Sequence, residues 1–411
     1  MTQARPDRPI EELLRALAPA VLATIASRHQ GFEVCEDAVQ EALLSASRQW
    51  PIEGVPDNPK GWLVVAASRR RIEALRNDTA RRRREDMSTG AAMAADAIAP
   101  SARDDSLPLL FLCCHPALTP VSQVALTLRA VGGLTTAEIA RALLVPQSTV
   151  AQRISRAKTR IRDSGARFVM PDDAERPTRL AAVLHVLYLV FNEGYTASSG
   201  AQLHRVELST EAIRLIRQLR AELPDEGEVA GLLALMLLTD ARRSARTTAA
   251  GALVPLAEQD RGLWDRAAIA EGTALLSATL PTSTIGTYQI QAAIAAIHDE
   301  APTAAEVDWP QILGLYNILV TLTPGPMVSL NRIVALAMVR GPDAGLQALD
   351  LAAQSLGDHY RIAAVRGHLF DLAGQPDEAH AQYALAARAT LNLAERRYLE
   401  ALAAGNQRHN T

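Results

Sequence analysis

Apolar residues along this chain recur at helical spacing, and the clearest case lies within residues 135–162. Val150, Ile154, Ala157 and Ile161 follow one another at steps of four, three and four, so they share a face that turns toward a core. Thr149, Gln152, Arg153, Arg156 and Arg160 fall on another face, short and polar at its start and arginine-rich afterwards. Upstream, Thr135 and Glu138 have the spacing of a capping box, and Ile139, Ala140 and Leu143 form a short apolar stripe. Val145-Pro146 interrupts the pattern, because proline lacks an amide proton and restricts the residue before it. The pattern predicts two helices joined by a tight turn, a helix-turn-helix whose second member is basic.

Elsewhere the periodicity is also helical. Val34, Ala38, Ala42 and Leu44, with Asp37 and Glu41, predict an amphipathic helix that ends near Trp50-Pro51. A loop rich in proline and glycine, PIEGVPDNPKG (51–61), separates it from a helix expected to start at Trp62. Leu180 to Phe191 is almost continuously apolar and leads into FNEGYTASSG (191–200), where Gly194 and Gly200 suggest a turn. Near the end, Pro342, Asp343, Leu349, Leu351 and Ala352 are matched by Pro376, Asp377, Tyr383, Leu385 and Ala386, a shift of 34, the period of a tetratricopeptide helix pair. Few segments are rich in β-branched residues, so an all-α fold is expected.

Composition sharpens this picture. With 411 residues, 48% of them hydrophobic, the chain can bury two or three cores. The net charge of −3 hides an asymmetry: residues 1–170 hold 23 Lys+Arg against 18 Asp+Glu, and 171–411 hold 19 against 27. From Arg141 to Arg162 there are five arginines and one lysine and no acidic residue. The first part is therefore the candidate polyanion binder, and the acidic second part suits a partner or regulatory role. Cys113, Cys114 and His115 are too contiguous for tetrahedral ligation, and the three cysteines are expected to be buried helix residues. LLALMLLTDA (232–241) is too short to span a membrane, and no apolar leader opens the chain, so a cytoplasmic location is expected. Glu193 and Tyr195 have no nucleophile, phosphate loop or metal set beside them, and His185 and His204 read as packed or exposed helix residues. No enzyme activity, cofactor or metal is expected.

Taken in order, these segments resemble a bacterial RNA polymerase sigma factor of the extracytoplasmic-function type, in the sigma-70 family. EDAVQEALLSASRQW (36–50) resembles the region 2 helix that docks on polymerase, and NPKGWLVVAASRRRIEALR (58–76) the segment beside the −10 promoter element. Residues 107–158, LPLLFLCCHPALTPVSQVALTLRAVGGLTTAEIARALLVPQSTVAQRISRAK, resemble region 4. VLYLVFNEGYTASSG (186–200) and LNRIVALAMVRGP (330–342) resemble a subgroup with a long C-terminal tetratricopeptide-like extension. The implied domains are region 2 at 11–85, a flexible linker at 86–103, region 4 at 104–167 and an extension at 178–411, with repeats near 329–400.

The resemblance implies core RNA polymerase and promoter DNA as partners, no membrane, and an unidentified signal or regulatory partner for the extension, which would act in cis. Gln147, Ser148, Thr149, Gln152 and Arg153 are the candidates for base-edge contacts at the −35 element, and Arg156, Lys158 and Arg160 for phosphate contacts. At the −10 element, Asn58 and Lys60 would reach an unpaired base. Trp62 would stack there or else fill a core, and Arg69, Arg70, Arg71 and Arg76 would meet backbone phosphate, though three adjacent arginines cannot all face DNA. Asp37, Gln40 and Glu41 form the candidate polymerase-docking face. The competing reading is a helix-turn-helix regulator joined to a helical-repeat sensor, which needs no region 2.

Overall fold

A computed structural model describes residues 8–29, 31–85, 106–143, 145–166, 168–197, 203–249, 251–356 and 360–405. Among them the chain is helical throughout, apart from one isolated bridge between Thr247 and Leu253, so the all-α expectation holds. It divides into two units, Met1–Leu189 and Val190–Thr411. The expected linker at 86–103 lies outside the described residues, as does Gly200.

The first unit has two lobes. Helices α1 (Arg8–Arg28), α2 (Phe32–Glu53) and α3 (Pro59–Glu85) pack on one another around Leu22, Ile25, Val39, Ala42, Trp50 and Leu63. Helices α4 (Ser106–Cys113), α5 (Pro120–Ala130), α6 (Thr136–Leu143) and α7 (Gln147–Asp163) enclose Phe111, Leu126, Leu128 and Ile139. In the first lobe the loop is shorter than 51–61. Helix α2 carries Pro51 in its last turn and stops only where Gly54, at φ 88°, lets its amide reach the Trp50 carbonyl. Helix α3 begins at Pro59, not Trp62, because Asn58 caps it: the Gly61 amide donates to Asn58 Oδ1 at 2.9 Å, and proline suits the first helical position. Leu44, counted above among the apolar positions of α2, is 52% exposed.

Helix α8 (Arg176–Tyr195) begins in the first unit and ends in the second. Arg179 donates to the Phe111 carbonyl at 2.8 Å, which ties its start to α4. Gly194 does not make a turn. It is the point where α8 meets the start of α9 (Val206–Glu222), and a Cβ there would lie 2.3 Å from the Ser209 amide nitrogen.

The second unit continues through α10 (Gly227–Asp240), α11 (Arg266–Thr279), α12 (Thr287–Glu300), α13 (Trp309–Leu322), α14 (Pro326–Arg340), α15 (Pro342–Leu356), α16 (Tyr360–Leu372), α17 (Pro376–Ala389) and α18 (Leu393–Ala403). Each of these helices packs on the next. Every residue of α10 from Val229 to Leu238 is buried among α9, α11 and α12, which explains the apolar run from Leu232 to Leu238: it is a core helix, apolar all round up to Thr239. No helix among the described residues is long and apolar enough to cross a membrane. After α10, Arg242 pairs with Asp299 of α12 at 2.5 Å, with side chains only 8% and 0% exposed, and also donates to the Ala295 carbonyl at 2.7 Å.

The 34-residue shift has a structural counterpart, since α15 and α17 both start on Pro-Asp. Leu349 and its match Tyr383 are buried, while Leu351 and Leu385 are both exposed. The last helix closes the unit on its beginning. Asn392 caps α18 by accepting from the Glu395 amide, and its Nδ2 donates to the carbonyl of Ala197 at 2.7 Å.

Candidate nucleic-acid interface

The second lobe of the first unit carries the predicted helix-turn-helix. At the head of α6 the capping box is complete: the Glu138 amide donates to Thr135 Oγ1 at 3.1 Å, and the Thr135 amide donates to Glu138 Oε2 at 2.7 Å. Burial works against ionisation of Glu138, but the Thr135 amide and hydroxyl and the Arg15 guanidinium outweigh it and hold the carboxyl below its ordinary range. Helix α7 then starts directly after Pro146. Its apolar stripe goes inward as expected, with Val150 fully buried and Ile154, Ala157 and Ile161 nearly so. Gln147, Ser148, Gln152, Arg156 and Arg160 are exposed, and Thr149 and Arg153 half-buried. One surface of a single helix thus holds short polar side chains at its N-terminal end and guanidinium groups in its later turns.

Lys158 is not part of that surface. It is buried, and its Nζ donates to Glu36 of α2 and, at 2.8 Å, to Asp37 Oδ1. Burial disfavours its charge, but the two carboxylates more than compensate and raise its pKa above the ordinary lysine value. The position contains the signal that the charge pattern hid. Lys158 lies four residues after Ile154 and three before Ile161, between core positions.

Lys158 belongs to a seam of charge between the two lobes. Glu36, 2% exposed, also accepts from Arg129 of α5 at 3.2 Å. Arg162 reaches Glu33 at 2.8 Å, and Arg15 of α1 pairs with Glu138 of α6. Nothing in local periodicity links Glu36 to a lysine more than a hundred residues downstream, so the seam was not legible in the sequence. It engages part of the candidate docking face: Asp37 is taken by Lys158, while Gln40 is half-buried and Glu41 exposed, 3.7 Å from Arg70.

In the first lobe the −10 candidates separate. Lys60 is half-buried, and Arg69, Arg70 and Arg76 are exposed along α3. Arg71 is buried and turned toward Cys35, following Ala67 and Ser68 of the inward face by four and three residues. Trp62 packs edge-on against Trp50, with ring centroids 5.6 Å apart, and remains half-buried, so it serves the core while keeping a face near solvent. Asn58 spends its side-chain oxygen on the α3 cap, which leaves its amide nitrogen for other partners.

The cysteines are packing residues. Cys35, Cys113 and Cys114 are all buried, Cys114 lies 3.6 Å from the Thr127 hydroxyl, and burial pushes its thiol up to about 12. Among the described residues no cluster of His, Cys, Asp and Glu is arranged to hold a metal. In the second unit Glu193 pairs with Arg205 at 2.6 Å, and His204 Nδ1 lies 2.9 Å from the Tyr195 carbonyl oxygen, while His185 is exposed.

Residues 109–161 match the family described as Sigma-70, region 4, and residues 179–280 match a family of unknown function (DUF6596). The chain is 30% identical over 155 residues to the Probable ECF RNA polymerase sigma factor SigI of two Mycobacterium tuberculosis strains, a stretch covering 35% of this chain and 52% of that protein. No solved structure matches it. It is 38% identical over 397 residues, 95% of this chain and 94% of the relative, to the Uncharacterized protein R00370 of Rhizobium meliloti. The chain therefore belongs to the same family as that Rhizobium protein, and its own helix-turn-helix lobe matches sigma-70 region 4.

Proposed function

We propose that this protein is an RNA polymerase sigma factor, that its two lobes read the −10 and −35 elements of one promoter, and that its second unit regulates it in cis. The observation that carries the reading is the outward face of α7, polar at its head and cationic along its length, on a lobe of sigma-70 region 4 type. A helix with that layout suits the major groove, where base pairs present distinct donor and acceptor patterns and flanking cations grip phosphate. Gln147, Ser148, Thr149, Gln152 and Arg153 take the base-edge role, and Arg156 and Arg160 the phosphate role. On α3, Lys60, Arg69, Arg70 and Arg76 line the single-strand path, with Trp62 offering a stacking face.

In this reading core polymerase docks on Asp37, Gln40 and Glu41, and docking competes with Lys158 for Asp37 and with Arg70 for Glu41. The second unit, read as a tetratricopeptide-like extension, supplies control that a separate inhibitor would otherwise provide.

Run-off transcription with purified core polymerase tests the reading. Full-length chain is expected to start transcripts only from templates bearing both elements. Arg153→Ala is expected to cost roughly 1–3 kcal/mol at one −35 base pair and relax selectivity there, whereas Arg160→Ala weakens all sequences alike. A chain shortened after Leu189, which keeps the α8 residues that pack on α4, is expected to show a markedly altered output. Absence of both core-enzyme binding and transcripts defeats the proposal. Tight binding of promoter duplex by the chain alone would favour a helix-turn-helix regulator instead.

A further inference from the structure

The two signature segments of the C-terminal part, FNEGYTASSG and LNRIVALAMVRGP, lie more than a hundred residues apart, and neither has a role in promoter reading. In the second unit they meet at the same cavity, of about 500 Å³. Tyr195 and Thr196 from the first segment and Leu330 and Asn331 from the second line it, with Arg246 from the turn after α10 and Arg361 from α16. That volume is in the range that holds a small organic ligand.

Arg246 is the unusual member. Its guanidinium lies 3.5 Å from the centroid of the Tyr195 ring, donates to the Tyr195 carbonyl and to Thr196 Oγ1 at 2.9 Å, and stands 3.1 Å from His204 Nδ1. All of these partners are neutral. The ion pairs among the described residues include none to Arg246, so no carboxylate of a described residue is in contact with this cation withdrawn from water. Burial, together with the nearby Arg242 and Arg361, pulls its pKa below the ordinary arginine value despite opposing help from Tyr195 and Asp240. A desolvated charge without a paired counter-charge is costly, and two guanidinium groups facing one space repel each other. An anion between them removes both penalties.

The rest of the lining limits what the anion carries. Met327, Leu330 and Val365 supply an apolar wall. The one carboxylate among the lining residues, Glu395, accepts from the hydroxyls of Tyr360 at 2.8 Å and Thr390 at 3.0 Å. We infer that this cavity binds a small amphiphilic anion, its carboxylate or phosphate head held by Arg246 and Arg361 and its apolar body against Met327, Leu330 and Val365. The inference goes beyond the promoter-reading role and does not depend on it, since binding is measured on the chain alone.

Isothermal titration of the full-length protein tests it, with octanoate and octyl phosphate as probes and inorganic phosphate and octylamine as controls. One or both anionic amphiphiles are expected to bind saturably at one site per chain, which also separates a carboxylate from a phosphate preference. Octylamine is expected not to bind, and inorganic phosphate to bind at least tenfold more weakly, for want of the apolar contact. Arg361→Gln is expected to weaken binding about tenfold or more, as loss of a charge-assisted contact does. Val365→Trp, which fills the cavity and spares both cations, is expected to abolish binding with the melting temperature of the free chain maintained. The inference is overturned if neither anionic probe binds, if octylamine binds equally well, or if folded Arg361→Gln and Val365→Trp proteins bind like the parent. None of those results bears on transcription, so failure here leaves the sigma-factor proposal standing on its own test.

Discussion

Both units bury an ion pair, but they place it differently. In the first unit Glu36 of α2 meets Lys158 of α7 and Arg129 of α5 where two lobes join. In the second, Arg242 and Asp299 sit inside one continuous helical stack, over the α10 core and beside the Trp264 ring. Charge buried at a seam returns to water when the lobes part, so the released ions are rehydrated and opening is cheap relative to unfolding. Charge buried within a stack has no such route. Parting the first unit along its seam is therefore expected to cost less than disrupting the second unit around its buried pair.

The largest effect expected from this contrast comes from Asp299→Ala, which strands Arg242 in the stack. A loss of about 3–5 kcal/mol follows, read as a fall in the denaturation midpoint of the second unit. Glu36→Gln leaves Lys158 to Asp37 and Arg129 to the Leu134 carbonyl, so a smaller loss of roughly 1–3 kcal/mol is expected in urea titration, together with an increased lobe-to-lobe distance measured by a pair of dyes. If Glu36→Gln costs as much as Asp299→Ala, or leaves the lobes together, the contrast fails. Thr135→Ala, which removes the α6 cap, is expected to cost about 1 kcal/mol and to weaken DNA binding without separating the lobes.

Acid supplies the mildest probe. The Glu138 carboxyl is held below its ordinary value in the folded chain, so its contribution is complete above the unfolded value of 4.5 and disappears as pH falls through the lowered one. The Arg15–Glu138 contact between lobes is expected to weaken in that window, visible as a pH-dependent change in the same dye distance. Glu138→Gln should flatten it.

The sequence was legible where several signals within one helix agree, and less so at the ends of α2 and α3, where a single glycine or asparagine decides the boundary. The capping box of Thr135 and Glu138, the break at Pro146 and the inward stripe of α7 all rest on spacings of three and four residues, and all are realised. Charge is a poor guide to exposure at Arg71 and Lys158, since both occupy inward positions with a partner supplied from another helix. Gly194 was misread for a related reason: a glycine that admits a neighbouring backbone looks, in one dimension, like a glycine that permits a turn. The cavity of the second unit was beyond reach, since its lining runs from Tyr195 to Glu395 and no periodicity connects those positions.

The bond from Asn392 to the Ala197 carbonyl joins residues made far apart in time on the ribosome. The first unit has all its helical partners once α8 has emerged, but the second lacks this fastening until Asn392 is made. At about 5–20 residues per second, that interval is on the order of ten to forty seconds. During that interval a nascent chain carries a first unit with its helical partners in place and a second unit whose first and last segments have not yet met.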